Sequence, residues 1–425
     1  MPQQNQNIHR TVLPNGIVVL VVENPAADII ATRIFVRAGS CWESKEQAGL
    51  AHLLSAVMTK GTPELSSLQI AERIESVGAS LSADAAADYF LLSLKTVSAD
   101  FTDILELAGQ LLRSPTFPEA EVELEKRLAI HHIRAGQEQP FAIAFEQLRQ
   151  VVYQNHPYAS SGLGWESTVS QLQRTDIQQF HQAYFRPDNV VISVAGRVSA
   201  DAAAIAIEKV FGDWQAPSTP LPTLKLPSLT AQGDRTITGQ PTQQSIVMVG
   251  YLSPSVRQED YAALKLLSTY LGNGLSSRLF VELREKRGLA YEVSALYPTR
   301  IEPATFVVYM GTAPENTAIA LAGLQTEVEL LCDTQLTEAD WQTAKNKLLG
   351  QYALGKQTNG QLAQIYGWYE ILGLGIQFDT QFQQQVTEVT ATEAQQAACR
   401  YLRIPYVSVV GPEEAVNHLV IPATI

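Results

Sequence analysis

The chain has 425 residues, 46% hydrophobic and 17% charged, with 43 acidic against 30 basic side chains and a net charge of −13. That composition supports a sizeable core and excludes a disordered chain. The acidic balance argues against a general nucleic-acid binder, which needs a basic face to displace counterions, and suits neutral or basic peptide partners. The three cysteines, Cys41, Cys332 and Cys399, are too few for a disulfide framework or a Cys-based zinc site and fit a reducing compartment.

The first ten residues, MPQQNQNIHR, are polar and lack the apolar core of a signal peptide. No apolar run approaches the ~18 residues that span a bilayer. The expectation is a cytoplasmic protein with no membrane partner. In chain order, 11–22 reads as a hairpin around Asn15-Gly16. A strand follows at 29–36, an apolar helix at 47–60, a second helix from Ser66 that Gly78 ends, and a strand at 89–96. Residues 101–113, 119–135 and 176–184 have helical spacing, and 189–196 reads as a buried strand. Residues 215–227, QAPSTPLPTLKLP, hold four prolines and read as an extended linker. Beyond it come a strand at 245–251, a helix at 259–271 and a closing strand at 406–411.

The linker divides the chain almost in half, and the halves match. Residues 66–83, SSLQIAERIESVGASLSA, align with 276–295, SSRLFVELREKRGLAYEVSA, at an offset of 210 that puts Ser66 on Ser276 and Gly78 on Gly288. Two residues slip after the glycine, and the helical spacing of Phe280 and Leu283 is less complete than that of Ile70, Ile74 and Val77. Helices and strands mix without regular βαβ alternation, which predicts an α+β fold of two homologous lobes. The expected boundaries are a first lobe over 1–215, a linker over 216–227 and a second lobe over 228–425, each a mostly antiparallel sheet with helices on one side, together forming a half-shell.

Residues 47–62 read QAGLAHLLSAVMTKGT. Here the sequence resembles the pitrilysin/insulinase-type zinc peptidases, including the mitochondrial processing-peptidase branch, whose members carry the inverted motif H-x-x-E-H on a helix. In that motif two histidines at i and i+4 share one helix face and bind zinc, while the glutamate takes a proton from the metal-bound water. Against it this chain keeps His52 but has Ser55 at the general-base position and Ala56 at the second-histidine position. The third ligand, a glutamate on a later helix in the family, falls on His132, or on His131 with a one-residue slip. The base and at least one ligand are therefore missing.

The second half carries GNGLSSRLFVELREKRGLAYEVSA, residues 272–295. This is the more complete resemblance to the same family, whose C-terminal domain has an Arg and a Tyr in an LREK-x-GLAY-like segment. They match Arg284 and Tyr291, with Gly288 ending the helix between them. The resemblance implies that Tyr291 donates a hydrogen bond to an oxyanion and that Arg284 holds a substrate carbonyl or carboxylate. Residues 13–19, 156–164 and 184–197 are also family-like, so the resemblance spans nearly the full chain. His156, before Pro157, reads as a loop-ordering residue, and His181, among polar neighbours, as solvated.

The implied function is the non-zinc, substrate-binding subunit of a heteromeric zinc metallopeptidase. Such a chain binds no metal or cofactor of its own, pairs with a homologous H-x-x-E-H subunit as a heterodimer, and is inactive alone. A homodimer in isolation is compatible with that role. The alternatives are a scaffold or peptide-binding pseudo-peptidase that needs neither Arg284 nor Tyr291, and an independent hydrolase with a displaced metal site at His52 and His132.

Overall fold

The computed structural model describes residues 8–419. Its first run of elements is β1 (Ile8–Val12), β2 (Val18–Glu23), β3 (Ile29–Val36), α1 (Leu50–Val57), α2 (Ser67–Glu75), β4 (Ser80–Ala85), β5 (Phe90–Val97), α3 (Phe101–Arg113) and α4 (Glu119–Gly136). Then come α5 (Pro140–Tyr153), α6 (Glu166–Val169), α7 (Arg174–Tyr184), β6 (Val190–Gly196) and α8 (Ala200–Phe211). The second run is β7 (Asp234–Gly239), β8 (Ser245–Ser253), α9 (Tyr261–Gly272), β9 (Glu292–Leu296), β10 (Ala304–Thr312), α10 (Thr317–Asp333) and α11 (Glu338–Leu354). It closes with α12 (Asn359–Ile371), α13 (Phe378–Glu388), α14 (Ala391–Tyr401), β11 (Tyr406–Gly411) and α15 (Glu413–Val416). No helix among the described residues is long and apolar enough to cross a membrane.

The hairpin forms where Asn15-Gly16 places it. Gly16 takes a positive φ of 97°, and β1 and β2 pair from Val12↔Val18 to Ile8↔Val22. The Asn15 amide anchors the turn by donating to the carbonyls of Phe211 and Trp214 at 2.7 and 3.1 Å.

Two sheets result, in the orders β1-β2-β6-β3-β5-β4 and β7-β11-β8-β10-β9. Apart from the extra edge strand β1, the second repeats the first strand for strand. Both have one parallel pair, β2 with β6 and β7 with β11, and are otherwise antiparallel. The α+β class and the duplication are thus present in the topology itself.

The compact units do not follow the chain halves. One comprises the described residues up to Ile133 with Ser161–Lys225 and Ala353–Asp379; the other comprises Arg134–Ser160, Leu226–Tyr352 and the described residues from Thr380. The halves exchange a helix: α12 packs on β2, β3 and β6, and α5 on β7, β8 and β11. Side chains alternate across a strand. Ile34 and Ile192 join the core cluster with α1, α3 and α8, whereas Phe35 and Ser193, one residue on, lie where Gly367 of α12 makes its closest approach. A Cβ at Gly367 would come within 2.4 Å of the Phe35 ring. In the second unit, Leu148 of α5 lies against Gly250 of β8. Helices therefore cover both faces of each sheet rather than one, which is why β6, β10 and β11 are buried along their whole length.

Candidate functional site

The motif helix is shorter than its apolar pattern suggests. Gly49 adopts a left-handed conformation, φ 99°, and α1 starts only at Leu50. The Glu43 carboxyl lies over this end and accepts the backbone N–H groups of Gly49 and Ala51 at 2.9 and 2.5 Å. Burial pushes Glu43 up to about 8, against the opposing pull of those two donors. Glu43 lies too far before the helix for the usual capping signature, so the sequence pattern did not point to it.

Leu50, Leu53, Leu54 and Val57 are buried and fix the orientation of α1. His52 and Ala56, four residues apart, are both half-buried and share a face. Ser55 is 5% exposed, and its hydroxyl donates to the His52 carbonyl at 2.7 Å. Burial, then the nearby His132, lowers the His52 pKa, while Glu125 and Asp84 oppose the shift. Of the two histidines on α4, His132 is thus the one that acts on His52. The His131 and His132 rings stand 6.3 Å apart and tilted. Glu125 forms an ion pair with Lys60 at 3.0 Å.

The donor set does not fit zinc. Ala56 has no donor atom, the Ser55 hydroxyl is engaged with backbone, and catalytic zinc takes three protein ligands. Among the described residues, no group of three or more His, Cys, Asp and Glu side chains is placed to hold a metal ion.

The second segment is built differently from its counterpart in the first half. There, α2 ends regularly: Gly78 has φ 63°, its N–H donates to Glu75 at 3.0 Å, and Ala79 donates to Ile74 at 3.1 Å. That is the Schellman pattern, in which the glycine supplies a left-handed residue without a Cβ penalty. In the second half Gly288 has φ 62°, but its N–H reaches Arg284 at 3.0 Å and Leu289 reaches Leu283 at 2.9 Å. The turn holds one more residue. Phe280–Glu285 is wound as a π-helix, with Lys286 donating to Val281 at 3.0 Å. This wide turn accounts for the incomplete helical spacing of Phe280 and Leu283. Such insertions recur at functional sites.

Arg284 lies on this turn, exposed, with its guanidinium 4.9 Å from the centre of the Phe280 ring. Neighbouring charges are paired: Glu282 with Lys286 at 2.8 Å and Arg278 at 3.3 Å, and Arg278 with Glu327 at 2.7 Å. Tyr291 directly precedes the edge strand β9, its N–H donates to Gly311 at 2.9 Å, and the residue is 63% exposed.

Two family models match this chain. One, described as "Insulinase (Peptidase family M16)", covers 18–164, and the other, "Peptidase M16 inactive domain", covers 171–348. This chain belongs to the M16 peptidase family. An uncharacterized zinc protease of Mycobacterium leprae is 27% identical over 419 residues, covering 96% of this chain and 93% of that protein. One from Bacillus subtilis is 27% identical over 369 residues, covering 86% and 88%. Two solved structures share the fold. One is a peptidase M16 inactive domain from Pseudomonas fluorescens (TM-score 0.88, 24% identity, covering 96% of this chain and 98% of that one). The other is a protease from Helicobacter pylori (TM-score 0.90, 22% identity, covering 96% and 100%).

Two further histidines complete the picture. His181 is not solvated: it is 8% exposed, its Nε2 lies 2.8 Å from the Leu112 carbonyl, and its ring stacks on Phe185. Polar neighbours in sequence point to other faces of α7, while His181 faces inward. His156 is buried, and its Nδ1 accepts the Tyr158 N–H at 3.1 Å, ordering the turn at Pro157–Ala159.

Proposed function

We propose that this M16 chain is the non-zinc, substrate-binding subunit of a two-chain metallopeptidase. What supports this most is the contrast between its two motif segments. At the zinc motif the base and one ligand are gone: Ser55 is turned to backbone and Ala56 has no donor atom. At the other segment, Arg284 and Tyr291 remain and stand exposed on a widened turn and at a strand edge. In this reading a partner chain with an intact H-x-x-E-H helix supplies the zinc that activates water. Arg284 holds a peptide carbonyl or carboxylate through its fixed donors. Tyr291 donates its hydroxyl to the scissile carbonyl oxygen as negative charge grows there. The pair is a cytoplasmic heterodimer acting on peptides.

Mixing the purified chain with its zinc-bearing partner should yield peptide cleavage that neither shows alone. Tyr291→Phe should then lower kcat by roughly 10²–10³-fold, the usual loss for one oxyanion donor, and Arg284→Ala should chiefly raise KM. Cleavage by the mixture that both substitutions leave unchanged would refute the assignment of these residues. An assembled complex with no cleavage at all would favour the scaffold reading.

A further inference from the structure

Cys332 and Cys399, 67 residues apart in sequence, meet in the second unit. Cys332 is the penultimate residue of α10, and Cys399 lies on α14. Gln395 and Cys399, four apart and so on one face of α14, both donate to the Cys332 carbonyl, the amide at 2.8 Å and the thiol at 3.5 Å. The Cys399 thiol lies close enough to the Cys332 thiol to act on it. Ala394, Ala397 and Ala398 are buried on α14, and such small side chains let α10 and α14 approach closely. Neither cysteine is fully buried, whereas Cys41 is buried. The Arg403 guanidinium lies beside the Cys399 sulfur.

We propose that Cys332 and Cys399 are a reversible thiol–disulfide pair that responds to hydroperoxides. Cys399, the sulfur beside Arg403, is the attacking one. Burial and Cys399 push the Cys332 thiol up to about 12, so Cys332 is not the first to attack; it resolves the reaction. The Cys399 sulfur attacks a peroxide oxygen, the O–O bond breaks, and a sulfenic acid and one water form. The Cys332 sulfur then attacks the sulfenic sulfur: the S–S bond forms, the S–O bond breaks, and the hydroxyl leaves as a second water with the thiol proton. Two thiols are oxidised and one hydrogen peroxide is reduced. In a reducing compartment such a bond is a transient response rather than a structural staple. Once formed it closes a loop that contains α12, the helix exchanged onto the first sheet, and so limits the freedom of that segment in the unfolded chain.

The test is to treat the full chain with a small excess of hydrogen peroxide, quench, and titrate thiols under denaturing conditions. The count should fall from three to one. Peptide mapping should join the Cys332 and Cys399 peptides, dithiothreitol should restore all three thiols, and the oxidised protein should melt at a higher temperature. Cys332→Ser and Cys399→Ser should each abolish the link. The map of the unsubstituted protein decides the matter even if those variants fold poorly. Sulfinic acid without a cross-link, a link through Cys41, or covalent dimers between chains would each overturn the proposal.

Discussion

The buried His181 makes a quantitative prediction about acid stability. Its Nε2 faces the Leu112 carbonyl, which can only accept, so that nitrogen carries the proton of the neutral ring. The ring is enclosed by Phe185 at 4.6 Å and Phe117 at 5.6 Å. A second proton would place a charge among aromatic rings, where desolvation outweighs the single hydrogen bond and lowers the pKa from 6.5 to about 4. The native state therefore refuses a proton that the unfolded chain accepts. Stability is intact above pH 6.5, falls as the pH drops towards 4, and then levels off. At ~1.36 kcal/mol per pKa unit, this side chain costs about 2 kcal/mol by pH 5 and about 3 kcal/mol below pH 4. His181→Gln keeps an N–H donor for Leu112 and removes the titration. Urea melts of both proteins at pH values from 8 to 4 isolate the effect, because every other titrating group is shared. The gap between the two should shift in favour of the variant by about 2 kcal/mol between pH 7 and 5. Parallel pH profiles would show that the ring is solvated after all and would refute the reasoning.

Two other tests address the duplicated helix ends and the lost metal site. Nothing lies within 4 Å of a Cβ built on Gly288, so Gly288→Ala meets no clash; only the left-handed backbone should matter, at about 1–2 kcal/mol, read as a lowered urea midpoint. Gly78→Ala should behave alike, since its φ and surroundings match. The combined variant Ser55→Glu, Ala56→His, His132→Glu should hold one zinc ion per chain by elemental analysis, whereas His132→Glu alone should hold none. A zinc-free triple variant would mean that α1 and α4 no longer present these positions to one point.

Much of the fold was legible in the residues. Asn15-Gly16 marks its hairpin because Gly16 takes the positive φ and the Asn15 side chain ties the turn to backbone groups. Gly78 and Gly288 mark matching helix ends because both take a positive φ, and the two-residue slip after Gly288 is a longer link to the strand, since β4 starts at Ser80 and β9 only at Glu292. At the candidate site, the loss of donors at Ser55 and Ala56 follows from side-chain chemistry alone. Arg284 and Tyr291 stood out only through the resemblance of residues 272–295 to the family's segment.

What the sequence by itself determined is local: periodicity, turn chemistry, the duplication, and which positions carry atoms able to bind a metal. Only the tertiary structure decided that α5 and α12 change places, because an apolar strand such as β6 calls for cover on both faces without naming the helix that provides it. The inward turn of His181, the reach of Glu43 over the start of α1, and the meeting of Cys332 with Cys399 were settled the same way. Each is a contact between segments whose separation along the chain carries no signal, and only close packing of the whole chain selects it.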